Sequence, residues 1–198
     1  MPPPKTIRLL TKIEKLKKAL RREKARFGGY HDGAGYRYAI AELYFELKDY
    51  KKTNRYLNWF DKNFPDDRKF SFYVLGEAVT KFELKKISEA KRATIELNQH
   101  NTYLIDLLLS NEISDQHKYE WMELESLSWA RQQLPVHLNL TTTDYLDWLR
   151  GFRQEESYEN WYNKYISILQ QLKGMKVSEE RNKLLAVARD CLKDWRLA

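Results

Sequence analysis

The chain has one cysteine, five prolines and seven glycines in 198 residues. It has five valines, and its longest apolar runs, such as YLIDLLL, fall far short of the ~20 residues that span a bilayer. The lone Cys191 excludes an intramolecular disulfide, and nothing at the start reads as an apolar signal, so a soluble protein in a reducing cytoplasm is the expectation. Three of the prolines stand in the leading MPPP, leaving only Pro65 and Pro135 to interrupt the rest of the chain. Scarce proline and valine with abundant Leu, Lys, Glu and Ala allow long helices, so the fold class expected is all-α.

What is present in excess is aromatic surface, at 14% of residues, and positive charge, at a net +7. The charge is local. Residues 1–26 carry ten Lys or Arg against Glu14 and Glu23, and the remainder of the chain is close to neutral. That segment contains a helical stripe of Leu9 or Leu10, Ile13, Leu16, Leu20 and Phe27, so it reads as an amphipathic helix. Its outer face, with Lys12, Lys18, Arg21, Arg22 and Arg26, forms a basic surface. Such a face suits phosphates, whereas the apolar stripe suits a cap packed on the next helices.

GGYHDGAGY then places four glycines in eight residues, a turn that breaks the helix. Gly28 and Gly33 match the first half of a phosphate-binding loop, but Ala34 and Gly35 replace its Lys and Ser/Thr and no strand precedes it. Tyr30 and His31 are left as a weak peptide contact.

From Tyr36 a pattern of two helices recurs. First-helix faces match at a shift of 35 residues (Ile40 with Leu75, Ala41 with Gly76, Tyr44 with Val79), and second-helix faces at 37 (Thr53 with Ala90, Leu57 with Thr94, Phe60 with Leu97). The tetrad FELK, at 45–48 and 82–85, follows the second shift while lying partly in the first helix, so its copies are not expected to be fully equivalent. On these residues, with Pro65 closing the first unit, residues 36–101 resemble the tetratricopeptide repeat. Arg37 stands where that family usually has an aromatic, and Thr53 where it has Ala. The resemblance implies an α-α superhelix of hairpins with additional C-terminal helices. It also implies a concave groove lined by Tyr38, Glu42, Phe45, Tyr73 and Glu77, the last two repeating Tyr38 and Glu42.

Beyond residue 101 the reading gives a short helix in NTYLIDLLLSN, a long one over SDQHKYEWMELESLSWARQQL stopped by Pro135, and three more to the end. The expected organisation is a disordered tail at 1–4, a basic helix with hairpins over 5–110, and a helical half over 111–198 packed on it. The four histidines are scattered, so no metal or other cofactor is expected. Cys191 shares an apolar stripe with Ala188 and Trp195 and reads as core. No nucleophile–base arrangement stands out, so the expectation is a non-enzymatic adaptor for a protein or peptide. A nucleic-acid-associated protein using the basic helix is the alternative.

Overall fold

The computed structural model describes residues 3–30, 32–113 and 115–194. Their elements are α1 (Pro4–Phe27), α2 (Tyr36–Leu47), α3 (Tyr50–Asn63), α4 (Ser71–Glu83), α5 (Ile87–His100), α6 (Leu104–Leu108), α7 (Leu127–Leu138), α8 (Thr143–Arg153), α9 (Glu156–Leu172) and α10 (Glu179–Asp194). One 3-10 turn covers Glu123–Glu125, and no strand occurs among the described residues.

α1 starts at Pro4, where a missing N–H costs nothing, and ends at Gly28, whose left-handed φ of 76° lets its N–H reach the Lys24 carbonyl at 2.9 Å. The tail expected at 1–4 therefore contributes Pro4 to the helix, and residues 1–2 lie outside the described ones. Ile13 and Leu20 are buried against α2 and α3, with Leu9 and Leu16 at their flanks. Phe27 does not join this stripe. It is 53% exposed, with the Arg26 guanidinium 5.0 Å from its ring centre.

The glycine-rich turn is organised by one buried side chain. Asp32 accepts from the backbone N–H of Tyr36 at 2.7 Å and of Arg37 at 2.9 Å, capping α2. Its second partner is the Arg37 guanidinium, which also pairs with Asp67 at 2.8 Å. Arg37 thus ties the α1–α2 turn to the loop after α3. Tyr30 packs on Trp59 and Phe64; His31 and Trp195 lie outside the described residues.

Both helical hairpins form with the paired faces buried. Ile40, Ala41, Leu57 and Phe60 are inside in the first, and Leu75, Gly76, Thr94 and Leu97 in the second. The change of shift from 35 to 37 has two sources: α4 is one residue longer than α2, and its connection to the next helix one residue longer than the two-residue link Lys48–Asp49. The FELK copies prove locally equivalent. Lys48 (φ 51°) and Lys85 (φ 59°) are both left-handed, and each donates its N–H to the Phe carbonyl opening its tetrad.

Two apolar cores meet at α4. One joins α1, α2 and α3 and takes Tyr73 from α4. The other joins α4, α5 and α6 to α8, α9 and α10 through Leu75, Ile95, Leu104, Tyr145, Tyr158 and Leu172. The two cores thus share α4. Cys191 is buried in the second, beside Ala188. Among the described residues, no helix is long and apolar enough to cross a membrane.

The long helix expected after residue 113 is the main departure. Residues 115–122 run without helix along α9, with the Tyr119 N–H donating to the Leu169 carbonyl at 2.8 Å and Gln116 Nε2 to the Tyr162 hydroxyl at 2.7 Å. α7 begins only where Ser126 Oγ accepts from the Trp129 N–H, and it runs through Pro135, which was expected to stop it. Pro135 stands on the exposed side of α7, so the carbonyl its ring leaves unpaired can be solvated.

Candidate functional site

α7 and the segment before it do not cover the predicted concave surface. They form its far wall, leaving a groove of about 740 Å³ between them and α2 and α4. Four of the five residues predicted to line a groove meet here: Tyr38, Glu42, Phe45 and Tyr73. They differ in what they offer. Glu42 is exposed, and among the described residues it makes no ion pair. Tyr38 is half-buried, with its ring 4.9 Å from Phe70 and its hydroxyl donating to Asp67, and burial pushes its pKa up.

Phe45 is only 7% exposed, its ring lying over Gly76. Tyr73 is 1% exposed and packs on Phe60 at 4.6 Å, a core residue rather than an open contact. Its phenol is held neutral by burial and by the nearby Glu77 and Asp61. One turn of α4 turns it inward because it fills the space between the two hairpins.

Glu77 does not line the groove. Its carboxylate, 15% exposed, receives a 2.9 Å hydrogen bond from Lys69, which also pairs with Asp61 at 2.9 Å. Burial works against the charge of Lys69, but Glu77 and Asp61 outweigh it and hold its pKa above the usual value. The predicted Glu42/Glu77 ladder is thus absent, and the other acids along the groove are Glu46, one turn further along α2 and paired with Lys5 at 3.0 Å, and Glu125 on the far wall.

The far wall went unread in the sequence. It presents Met122, Leu124, Trp129 and Val136, and it is fixed from behind by buried polar groups. Asn101 Nδ2 donates to the carbonyls of Leu124 (3.0 Å) and Ser126 (3.1 Å), and Lys118, 5% exposed, donates to the Glu125 carbonyl at 3.3 Å. Burial lowers the pKa of Lys118 even though Glu120 at 3.1 Å opposes that shift. The legible local signal was Ser126 as a helix cap.

α7 is bolted to α4 by His137 and Ser71, both buried at the groove floor. His137 Nδ1 lies 2.8 Å from the Gln133 carbonyl, which can only accept, so that nitrogen carries the proton. Nε2 then accepts from Ser71 Oγ at 3.1 Å. Burial lowers the His137 pKa, which keeps this neutral form. The ring orientation is set by the helix backbone rather than by a carboxylate.

The predicted basic residues Lys12, Lys18, Arg21, Arg22 and Arg26 are all exposed on α1 while its apolar stripe caps α2 and α3. Among the described residues no group of three or more His, Cys, Asp or Glu could hold a metal ion. Comparison of the chain with protein-family models, with curated proteins and with solved structures finds no match. What the fold defines is an all-helical protein, its described residues forming ten helices packed against their neighbours.

Proposed function

We propose that the protein is a non-catalytic adaptor of the cytoplasm, built on two tetratricopeptide-like hairpins, whose groove between α2, α4 and α7 receives a protein or peptide segment. One observation carries the reading. Four large apolar side chains left substantially exposed, Phe70 (54%), Val136 (46%), Leu124 (38%) and Met122 (37%), all border this groove. Gathered apolar exposure marks an interaction surface, whereas single exposed side chains do not. The rim selects the charge of the occupant. The cations there are engaged, Arg68 with Glu125 at 3.6 Å and Lys69 with Glu77, while Glu42 is open. The fitting segment has an aromatic or aliphatic anchor for the floor and a Lys or Arg for Glu42. In this reading Ser71 and His137 hold the wall in place and perform no chemistry.

A peptide library displayed on phage and selected on the full chain tests this. Enriched peptides should share an apolar anchor beside a basic residue, and they should bind Val136→Asp and Glu42→Lys at least tenfold more weakly. Peptides that bind both variants as tightly as the wild type would eliminate the groove as the site.

A further inference from the structure

A second concavity, of about 580 Å³, lies on the opposite side of the first hairpin, between α1 and α3. Its chemistry differs from that of the groove. Lys17 and Arg21 enter from α1, and Lys52 and Arg55 from α3, against one lining carboxylate, Glu14. Glu14 is shared between Lys17 at 3.2 Å and Arg21 at 3.8 Å, and Lys52 pairs with Asp49 at 2.8 Å. Arg55 is exposed and makes no ion pair among the described residues. The wall behind these cations is aromatic. Trp59 stacks on Tyr56 with centroids 5.3 Å apart and meets Tyr30 in a T-shaped contact at 5.3 Å, and its indole is half-buried.

We propose that this cleft binds a nucleotide unit of single-stranded nucleic acid, the base against the Trp59–Tyr30 wall and the phosphates on Arg55, Lys52 and Arg21. Cations alone would suit any polyanion. The combination with a partly open stack of rings suits a ligand that has both a π-face and a negative charge. An acidic peptide would use only the charges. Continuity favours a strand over a free nucleotide. Lys18, Arg22 and Arg26 follow one another at four-residue spacing on the adjoining ridge of α1, so a chain leaving the cleft meets further cations. The packed cap and the basic surface, rivals in the sequence, are here two faces of one helix. The proposal does not depend on the peptide groove, which lies on the other side of α2.

Fluorescence anisotropy of fluorescein-labelled 12-mer oligouridylate and oligothymidylate with the full chain tests it. Binding should weaken at least tenfold for Lys52→Glu with Arg55→Glu, both exposed positions, and about tenfold between 50 and 200 mM salt. Trp59→Leu, checked for an intact thermal transition, should weaken binding while leaving the salt dependence unchanged, because it removes stacking and no charge. No binding at tens of micromolar protein, or binding untouched by the charge reversals, overturns the site. Equal binding of a duplex of the same length, or equal competition by inorganic polyphosphate, overturns the role of the rings. Competition by UMP as strong per molecule as by the 12-mer overturns the strand in favour of a free nucleotide.

Discussion

Gly76→Ala adds one methyl group where α4 meets α2. A Cβ built on Gly76 would lie 2.5 Å from Cε2 and 2.6 Å from Cε1 of Phe45, with Cζ nearer still, where ordinary contacts begin at 3.4 Å. The Phe45 ring must retreat by about 1 Å, and it is wedged against Phe72 and Tyr73, so an overpacking cost in the upper part of the usual range, about 2–3 kcal/mol, is expected. Alanine's better helix propensity returns about 1 kcal/mol, leaving a net loss of about 1–2 kcal/mol. For a chain of this size that corresponds to a fall in Tm of about 3–6 °C, readable by circular dichroism. Gly76→Leu, with more atoms to place, should cost several kcal/mol. The control is the Phe45→Leu background, where the ring is gone and Gly76→Ala should be neutral or stabilising by up to about 1 kcal/mol. A wild-type background that tolerates Gly76→Ala without loss of Tm, or an equal cost in both backgrounds, would refute the proposed contact.

Acid should destabilise the groove before it reaches ordinary carboxylates. His100 is pushed down to about 4, first by burial and then by Arg68 and Lys69, and burial also lowers His137. An unfolded histidine binds its proton near pH 6.5, so below that pH the unfolded chain holds more protons and stability falls; urea titrations at pH 7 and pH 5 should differ by up to about 2 kcal/mol on account of His100, and His100→Gln should shrink the difference. Asp32→Ala removes the α2 cap and one partner of Arg37 and should cost roughly 3 kcal/mol in urea denaturation, whereas an exposed loop would tolerate it within half a kcal/mol. A fluorophosphonate reagent should leave Ser71 unlabelled by mass spectrometry; stoichiometric labelling lost in His137→Gln would make the pair catalytic. Glu77→Lys should unfold or strongly destabilise the chain because it sets two cations against each other at Lys69, while Glu42→Lys should leave Tm within about 1 °C, as exposed charge changes do.

The sequence by itself determined which residues turn inward. Period and register placed α1 to α5, matched Ile40 with Leu75 and Ala41 with Gly76, and put Gly76 at a helix contact, because a 3.6-residue apolar stripe is written locally and burial follows it. It marked Cys191 as core and the α1 cations as exposed for the same reason. Tertiary structure alone decided what each inward face meets. Tyr38 and Tyr73 share a register position and both reach the groove, yet Tyr38 is half-buried while Tyr73 is sealed, because Tyr73 is packed among Tyr38, Phe45 and Phe60 of the first hairpin. Glu42 and Glu77 likewise share a position, but Lys69, eight residues from Glu77 in sequence, pairs with Glu77 and not with Glu42. The wall formed by residues 122–136 has its shape from Asn101 and His137, whose hydrogen bonds join distant parts of the chain and leave no periodic trace, and from the nearer bond of Lys118 to the Glu125 carbonyl. Those long-range polar contacts outweighed the helix propensity of residues 115–122 and turned an expected helix into the border of a groove.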